Sequence, residues 1–290
     1  MAHVGEDVTT EKTVKKQREK WPINIIQVDA MGGEHFEDLE KLCVTLRNPN
    51  MEAVVCFEGI CSSVNPDRDW SDLPAQGDLF KRLADLLPYH TKYFHARSDG
   101  IDPGLNYHLS EGLAIFVPPS LSGFVERVSD HFVDGNRIKT GGSQQIFHPA
   151  SMLQYAFMRF PGNRVLAICN VYMEGNVNTK EDVMTEYQRL GGIASLLRRF
   201  PPACSVILCG RFGFLTDNCE HEIITARGKH LRNLLHDKGI TNTQSKKCGK
   251  GRPSLFYYMF VSESLDVENF SPLHGFDISE YLPLHVKVNV

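Results

Sequence analysis

The stretch SVILCGRFGFLTDN, Ser205–Asn218, opens as an apolar strand and stops at a glycine. Ser205–Gly210 holds Val206, Ile207, Leu208 and Cys209 in succession, the run expected of a buried strand. Gly210 turns the chain, and Arg211 then places a permanent cation at the strand end. Similar pieces recur outward from it. Strand-like runs occupy 23–29, 51–58, 91–96, 111–117, 153–160, 164–172, 255–262 and 283–290. Helix-like spacing covers 36–48, where Phe36, Leu39, Leu42, Cys43 and Leu46 share a stripe, and also 78–89, 180–200 and 224–239. The last of these closes at Gly239, a C-cap signal. The irregular stretch 118–150 reads as a mobile surface segment.

Apolar strands separated by helices predict an α/β architecture. The pair 153–160 and 164–172, joined by a short Pro-Gly-Asn link, predicts an antiparallel hairpin. Two sheets, or one mixed sheet, with helices outside therefore fit better than a purely parallel sheet. The 290 residues, 42% hydrophobic and 23% charged, suit an ordinary globular chain whose core needs no covalent staples. Residues 1–20 are predicted as a disordered charged tail and 21–290 as the folded domain. Lys15, Lys16, Arg18 and Lys20 admit a weak nuclear signal, with a solvated lead-in preferred.

The net charge of −4 gives no global pull toward nucleic acid or membrane. No apolar run reaches the ~18 residues of a spanning helix. The eight cysteines are scattered, several of them inside apolar runs. They read as reduced thiols in an intracellular protein, cytoplasmic or nuclear. Cys219 and His221 lack partners at zinc spacing. The twelve histidines form no HxH or HxxxH pair.

The order of strand-end segments carries a stronger signal. VDAMGG, FEG, GLAIFVPPS, NVYMEG, CGRFGFLTD, FYYMFVS and DISEYLPLHVKV follow one another along 22–290. This succession resembles the endonuclease/exonuclease/phosphatase superfamily. Within it, the GRFGFLTD segment and the C-terminal segment are most similar to the 5′-tyrosyl-DNA phosphodiesterases. The resemblance implies a DNase I-like two-sheet sandwich flanked by helices in a single domain. It also implies a site that cuts phosphodiesters with one or two divalent metals.

Mapped motif by motif, the site is degenerate. Asp29 stands where the family has an Asn. Glu58 keeps the metal-binding Glu, a sensible anchor for a hard cation. Tyr172 replaces the His of N-x-H, and a phenol does not become a cation near neutral pH. In place of GDxN the chain reads Gly210, Arg211, Phe212, Gly213. Arginine cannot accept a proton and glycine has no side chain. Tyr257 occupies the position of a strand Asp. The last motif, S-D-H in the family, is Ser279, Glu280 and Tyr281.

The resemblance therefore implies a non-catalytic binding or scaffold module, with no cofactor expected. Its partner would be a protein or a nucleic acid. The alternative is a divergent Mg- or Mn-dependent phosphodiesterase or nuclease that uses Glu58, Asp29, Glu280 and Asp217. Two roles stay open for Arg211: capture of a phosphate, or neutralisation of Glu58 and Glu280, with the second preferred. Asp217 is preferred as a turn residue with Asn218. Tyr172 and Tyr281 read as filling a closed-off cleft. Lys246, Lys247, Lys250 and Arg252 form a loop able to touch phosphates, with a solubilising role preferred. A third reading, a plain α/β protein with chance motif order, would require these positions to lie apart.

Overall fold

The structure, a computed structural model, describes residues 20–30, 35–63, 78–102, 107–133, 151–173, 180–212, 230–240, 243 and 257–290. In chain order the first half contains β1 (Pro22–Asp29), α1 (Phe36–Leu46), β2 (Val54–Ser63), α2 (Leu79–Leu86), β3 (Thr91–Asp102), β4 (Tyr107–Val117), α3 (Pro119–Ser122) and β5 (Val125–Phe132). The second half contains β6 (Met152–Phe160), β7 (Arg164–Tyr172), α4 (Lys180–Arg199), β8 (Cys204–Arg211), β9 (Leu231–Asn233), α5 (Leu234–Asp237), β10 (Tyr257–Ser262), β11 (Asp266–Pro272) and β12 (Leu284–Asn289).

These strands form two six-stranded sheets, ordered β11-β12-β1-β2-β4-β3 and β5-β6-β7-β8-β10-β9. Each sheet holds one parallel pair, β1 with β2 and β7 with β8. Parallel neighbours need a crossover connection, and the helices α1 and α4 lie in those two connections. The remaining pairs are antiparallel, including the predicted hairpin of β6 and β7 around Pro161–Asn163.

Strand pleating assigns each residue to a layer. Along β1 and β2, Ile23, Ile25, Val54 and Cys56 join the core that runs between the sheets. The alternate residues Ile26, Val28, Val55 and Phe57 face outward. There they meet Leu39, Leu42, Cys43 and Leu46 of α1 and Leu79 and Leu83 of α2. Asp78 caps α2 by accepting the Lys81 N–H at 2.8 Å. On the second sheet, Leu190, Ile193, Ala194 and Leu197 of α4 pack into the larger core.

Most strands lie within a few residues of their predicted limits, and three segments differ. Within 118–150 the chain forms α3 and the edge strand β5, while 134–150 lies outside the described residues. β5 reads VERVSDHF and has no buried residue, three of the eight being exposed, so it offers no apolar face to a periodicity search. The predicted helix 224–239 is, over its described part, the three-residue β9 followed by the one-turn α5. Asn233 Oδ1 accepts the Leu235 and His236 N–H groups at 3.0 and 3.4 Å and so starts a helix in mid-pattern. Gly239 does follow its end. β11, DVENFSP, is an additional edge strand in which Phe270 alone is buried. Of the predicted charged tail 1–20, residues 1–19 lie outside the described residues. Among the described residues no helix is long and apolar enough to cross a membrane.

Candidate functional site

The pleat that fills the inter-sheet core also builds the site. Continuing the inward series past Ile23 and Ile25 brings Gln27 and Asp29, and past Val54 and Cys56 it brings Glu58. Asp29 lies opposite Glu58 in the β1–β2 register. On the facing sheet Tyr172 pairs with Arg211, and Arg211 with Tyr257. Two carboxylates on one sheet thus meet two phenols and a guanidinium on the other, all at one end of the sandwich.

Three backbone irregularities aim these groups. The β2–β4 register shifts between Phe57 and Ile60, with Gly59 at φ 63, so the bulge immediately follows Glu58. The β3–β4 register shifts between Ala96 and Ser98, with Arg97 at the break. Gly210 sits at φ 133, where a Cβ would stand 2.1 Å from the Val171 carbonyl oxygen. Only glycine lets β8 approach β7 this closely just before Arg211. Phe212 then anchors the strand end, fully buried, with its ring 5.4 Å from that of Phe260.

The contacts form one connected group. The Tyr257 hydroxyl donates to Asp29 Oδ2 at 2.6 Å, joining the sheets. Gln27 Nε2 donates to Glu58 Oε1 at 3.1 Å. Asn170 Nδ2 donates across the sheets to the Phe57 carbonyl oxygen at 2.9 Å. The Arg97 guanidinium lies 4.1 Å from the centre of the Tyr172 ring and that of Arg211 5.4 Å from it. Arg97 Nη2 also contacts Glu111 Oε1 at 2.7 Å. The Tyr257 and Tyr281 rings are 5.0 Å apart.

Burial sets the protonation states. Glu58 is 0% exposed. Its removal from water, then Asp29 and Cys209, push its pKa well above the usual carboxylate value, against Gln27 and Arg211. Burial, then Asp29 and Glu58, likewise hold the Tyr257 phenol protonated. Burial disfavours the Arg211 cation, yet Tyr257, Tyr172, Asp29 and Glu58 together raise its pKa. The site therefore favours the neutral form of Glu58 beside a hydrogen-bonded Asp29 and a cationic Arg211. Buried Glu58 Oε2, Gln27 Oε1 and Asn170 Oδ1 have no hydrogen-bond partner among the described residues.

Asp29, Glu58, Tyr172, Arg211, Tyr257 and Tyr281 are thus brought together. Glu280 is an exposed residue whose neighbour Ser279 bonds locally to Tyr281 at 3.0 Å. Gly213, Asp217, Asn218, Cys219, His221, Lys246, Lys247, Lys250 and Arg252 lie outside the described residues. Sequence reasoning missed Gln27, Asn170 and Arg97. Asn170 and Gln27 were legible in principle, as inward polar positions in otherwise apolar strands. Arg97 was not, because its aim depends on a bulge.

A divalent cation would need hard oxygen ligands open to it. Among the described residues no group of three or more His, Cys, Asp or Glu is placed to hold a metal ion. Asp29 is engaged by a phenol, burial disfavours the charged form of Glu58, and Arg211 sets a positive charge beside both. This donor set does not fit a divalent metal.

No family model matches the sequence, and no curated protein matches it. Solved structures do match in shape. An endonuclease/exonuclease/phosphatase from Beutenbergia cavernae superposes with a TM-score of 0.67 over 93% of this chain and 72% of its own, at 15% identity. The chain has the DNase I-like fold. D. rerio TDP2, complexed with single strand DNA product, gives 0.64 over 93% and 99% at 12% identity. A Bacteroides thetaiotaomicron mannosyl-6-phosphatase gives 0.62 over 92% and 99% at 12% identity. At these identities the likeness establishes the fold alone, shared here with proteins of differing substrates.

Proposed function

We propose that this chain is a non-catalytic binding module on the DNase I-like fold, with a protein or nucleic acid as its intracellular partner. One observation carries the reading: Arg211 stands in register between Tyr172 and Tyr257, beside Glu58 and the Asp29 that Tyr257 holds. A phosphodiesterase site needs a group that accepts or orients the proton of the attacking water. Arg211 cannot accept one, and burial pushes both the Tyr257 phenol and the Glu58 carboxyl toward keeping their protons. Charge inside the cluster is balanced by protein groups. The placing of five of the six described cysteines in buried apolar surroundings, none in a disulfide, supports an intracellular compartment.

A second reading has one specific observation in its favour. The buried Glu58 Oε2, without a hydrogen-bond partner among the described residues, is an oxygen that a cation would satisfy. A divergent Mg- or Mn-dependent phosphodiesterase would use it together with Asp29, and would recruit Glu280 and Asp217.

The deciding experiment assays the full chain with Mg²⁺ and Mn²⁺ on a 5′-phosphotyrosyl oligonucleotide and on a generic phosphodiester. Glu58→Gln and the double variant Arg211→Asp, Gly213→Asn run beside it. No turnover by a folded parent is expected. Parent turnover that Glu58→Gln abolishes would establish the second reading instead.

A further inference from the structure

A second cleft lies on the outer face of the β5–β6–β7 sheet, beside the C-terminal end of α4, with a volume of about 510 Å³. It is well separated from the cluster described above. Val165, which lines it, is near the start of β7, and Tyr172 is at the far end of that strand. Seven residues of strand span about 23 Å. The faces differ too. Gln154 of β6 turns toward the other sheet, donating to the Tyr93 carbonyl oxygen at 3.1 Å, so its neighbours Tyr155 and Phe157 take the opposite face.

The floor of this cleft is aromatic. The Phe157 ring lies 4.8 Å from that of Phe200 and 5.4 Å from that of Tyr155. Cations stand on two sides of the floor. Arg127 of β5 is directly opposite Phe157 in the β5–β6 register, hence on the same face. Arg199, the last residue of α4, precedes Phe200. Both arginines are exposed, and among the described residues neither has an ion-pair or hydrogen-bond partner. The third arginine of the lining, Arg159, is by contrast satisfied by Glu126. Asp130, opposite the inward-turned Gln154, is aimed instead at the other sheet, its Oδ1 3.7 Å from His95 Nδ1.

We propose that this cleft binds a nucleoside 5′-monophosphate. The volume lies within the range of small-ligand sites. The half-buried Phe157 ring, braced edge-to-face by the buried Phe200, offers an apolar surface for a planar base. Arg127 and Arg199 present guanidinium forks that match phosphate geometry. A phosphotyrosine side chain would satisfy the arginines and the ring but is smaller and fills less of the 510 Å³ cleft, so size favours the nucleotide. The proposal is independent of the reading of the central cluster.

The test is calorimetric titration of the full chain with AMP and GMP, with adenosine, inorganic phosphate and phosphotyrosine as separate arms. Saturable binding of a nucleotide is expected, with phosphotyrosine, adenosine and phosphate each weaker. Arg127→Ala and Arg199→Ala should each weaken nucleotide binding about tenfold. Arg199→Glu should weaken it further, and raised salt should weaken it in the parent. These arginines are exposed and unpaired, so their replacement leaves folding intact. Tyr172→Phe, in the central cluster, should leave nucleotide affinity unchanged. Failure of both nucleotides to saturate, affinity indifferent to both arginines, or tighter binding of phosphotyrosine would each overturn the proposal.

Discussion

Tyr257→Phe isolates the hydrogen bond that ties the two sheets together at the central cluster. The native hydroxyl donates to Asp29 Oδ2 at 2.6 Å from a ring that is 1% exposed. Phenylalanine keeps the ring and its contact with Tyr281 and removes the donor alone. A hydrogen bond to a charged group contributes about 1.5–3 kcal/mol. Asp29 is half-buried, so water partly replaces the lost hydroxyl, and the loss falls at about 1.5 kcal/mol, the lower end of that range. For a domain of this size that is a fall of roughly 3–6 °C in Tm. Asp29→Asn and the double variant complete a cycle whose expected coupling is about 1 kcal/mol. Urea unfolding at neutral pH, followed by circular dichroism, supplies all four stabilities. Coupling below about 0.3 kcal/mol would refute the assignment of Tyr257 as the partner of Asp29.

Three further perturbations test the same architecture. Glu58 binds its proton more tightly folded than unfolded, so its contribution is full below the ordinary value of 4.5 and declines as pH rises toward the folded value. Glu58→Gln should therefore be more stable than the parent at neutral pH and flatten the decline in urea midpoint above pH 4.5; an unchanged slope would count against a protonated Glu58. Gly210→Ala places a Cβ 2.1 Å from the Val171 carbonyl oxygen at φ 133, and should cost about 3 kcal/mol or more, read as a lower urea midpoint or lost soluble yield. Asn170→Leu removes the 2.9 Å bond to the Phe57 carbonyl oxygen and should cost about 1–3 kcal/mol in the same assay.

The fold was legible wherever a strand buries both of its faces. β7 and β8 are buried except at their ends or at single positions, so their limits followed from apolar runs alone. Edge strands escaped for the opposite reason. β5 and β11 face solvent along much of their length, and their pairing partners, not their own residues, make them strands. The helix pattern around Leu231, Leu234 and Leu235 failed because all three are buried while the backbone changes from strand to helix at Asn233. Composition cannot distinguish a helical stripe from a bend that buries the same leucines. Site positions at strand ends were readable from motif order, since pleat and register convert that order into proximity. Arg97 was hidden because a bulge in β3 determines its direction.

What distinguishes the central cluster is that each of its changed side chains answers another. Two carboxyl groups set side by side on β1 and β2 repel unless one is neutral or a cation is near. Glu58 takes the first solution through burial and Arg211 supplies the second. A phenol at position 257 gives Asp29 a donor, and the Tyr172 ring provides a face for the guanidinium groups of both Arg97 and Arg211. Reverting one member alone should leave a buried charge or donor unmatched, at a cost of about 3–5 kcal/mol where an ion-paired partner is stranded. Recovery of a metal site would therefore require Arg211 to be replaced together with the Tyr257 that engages Asp29.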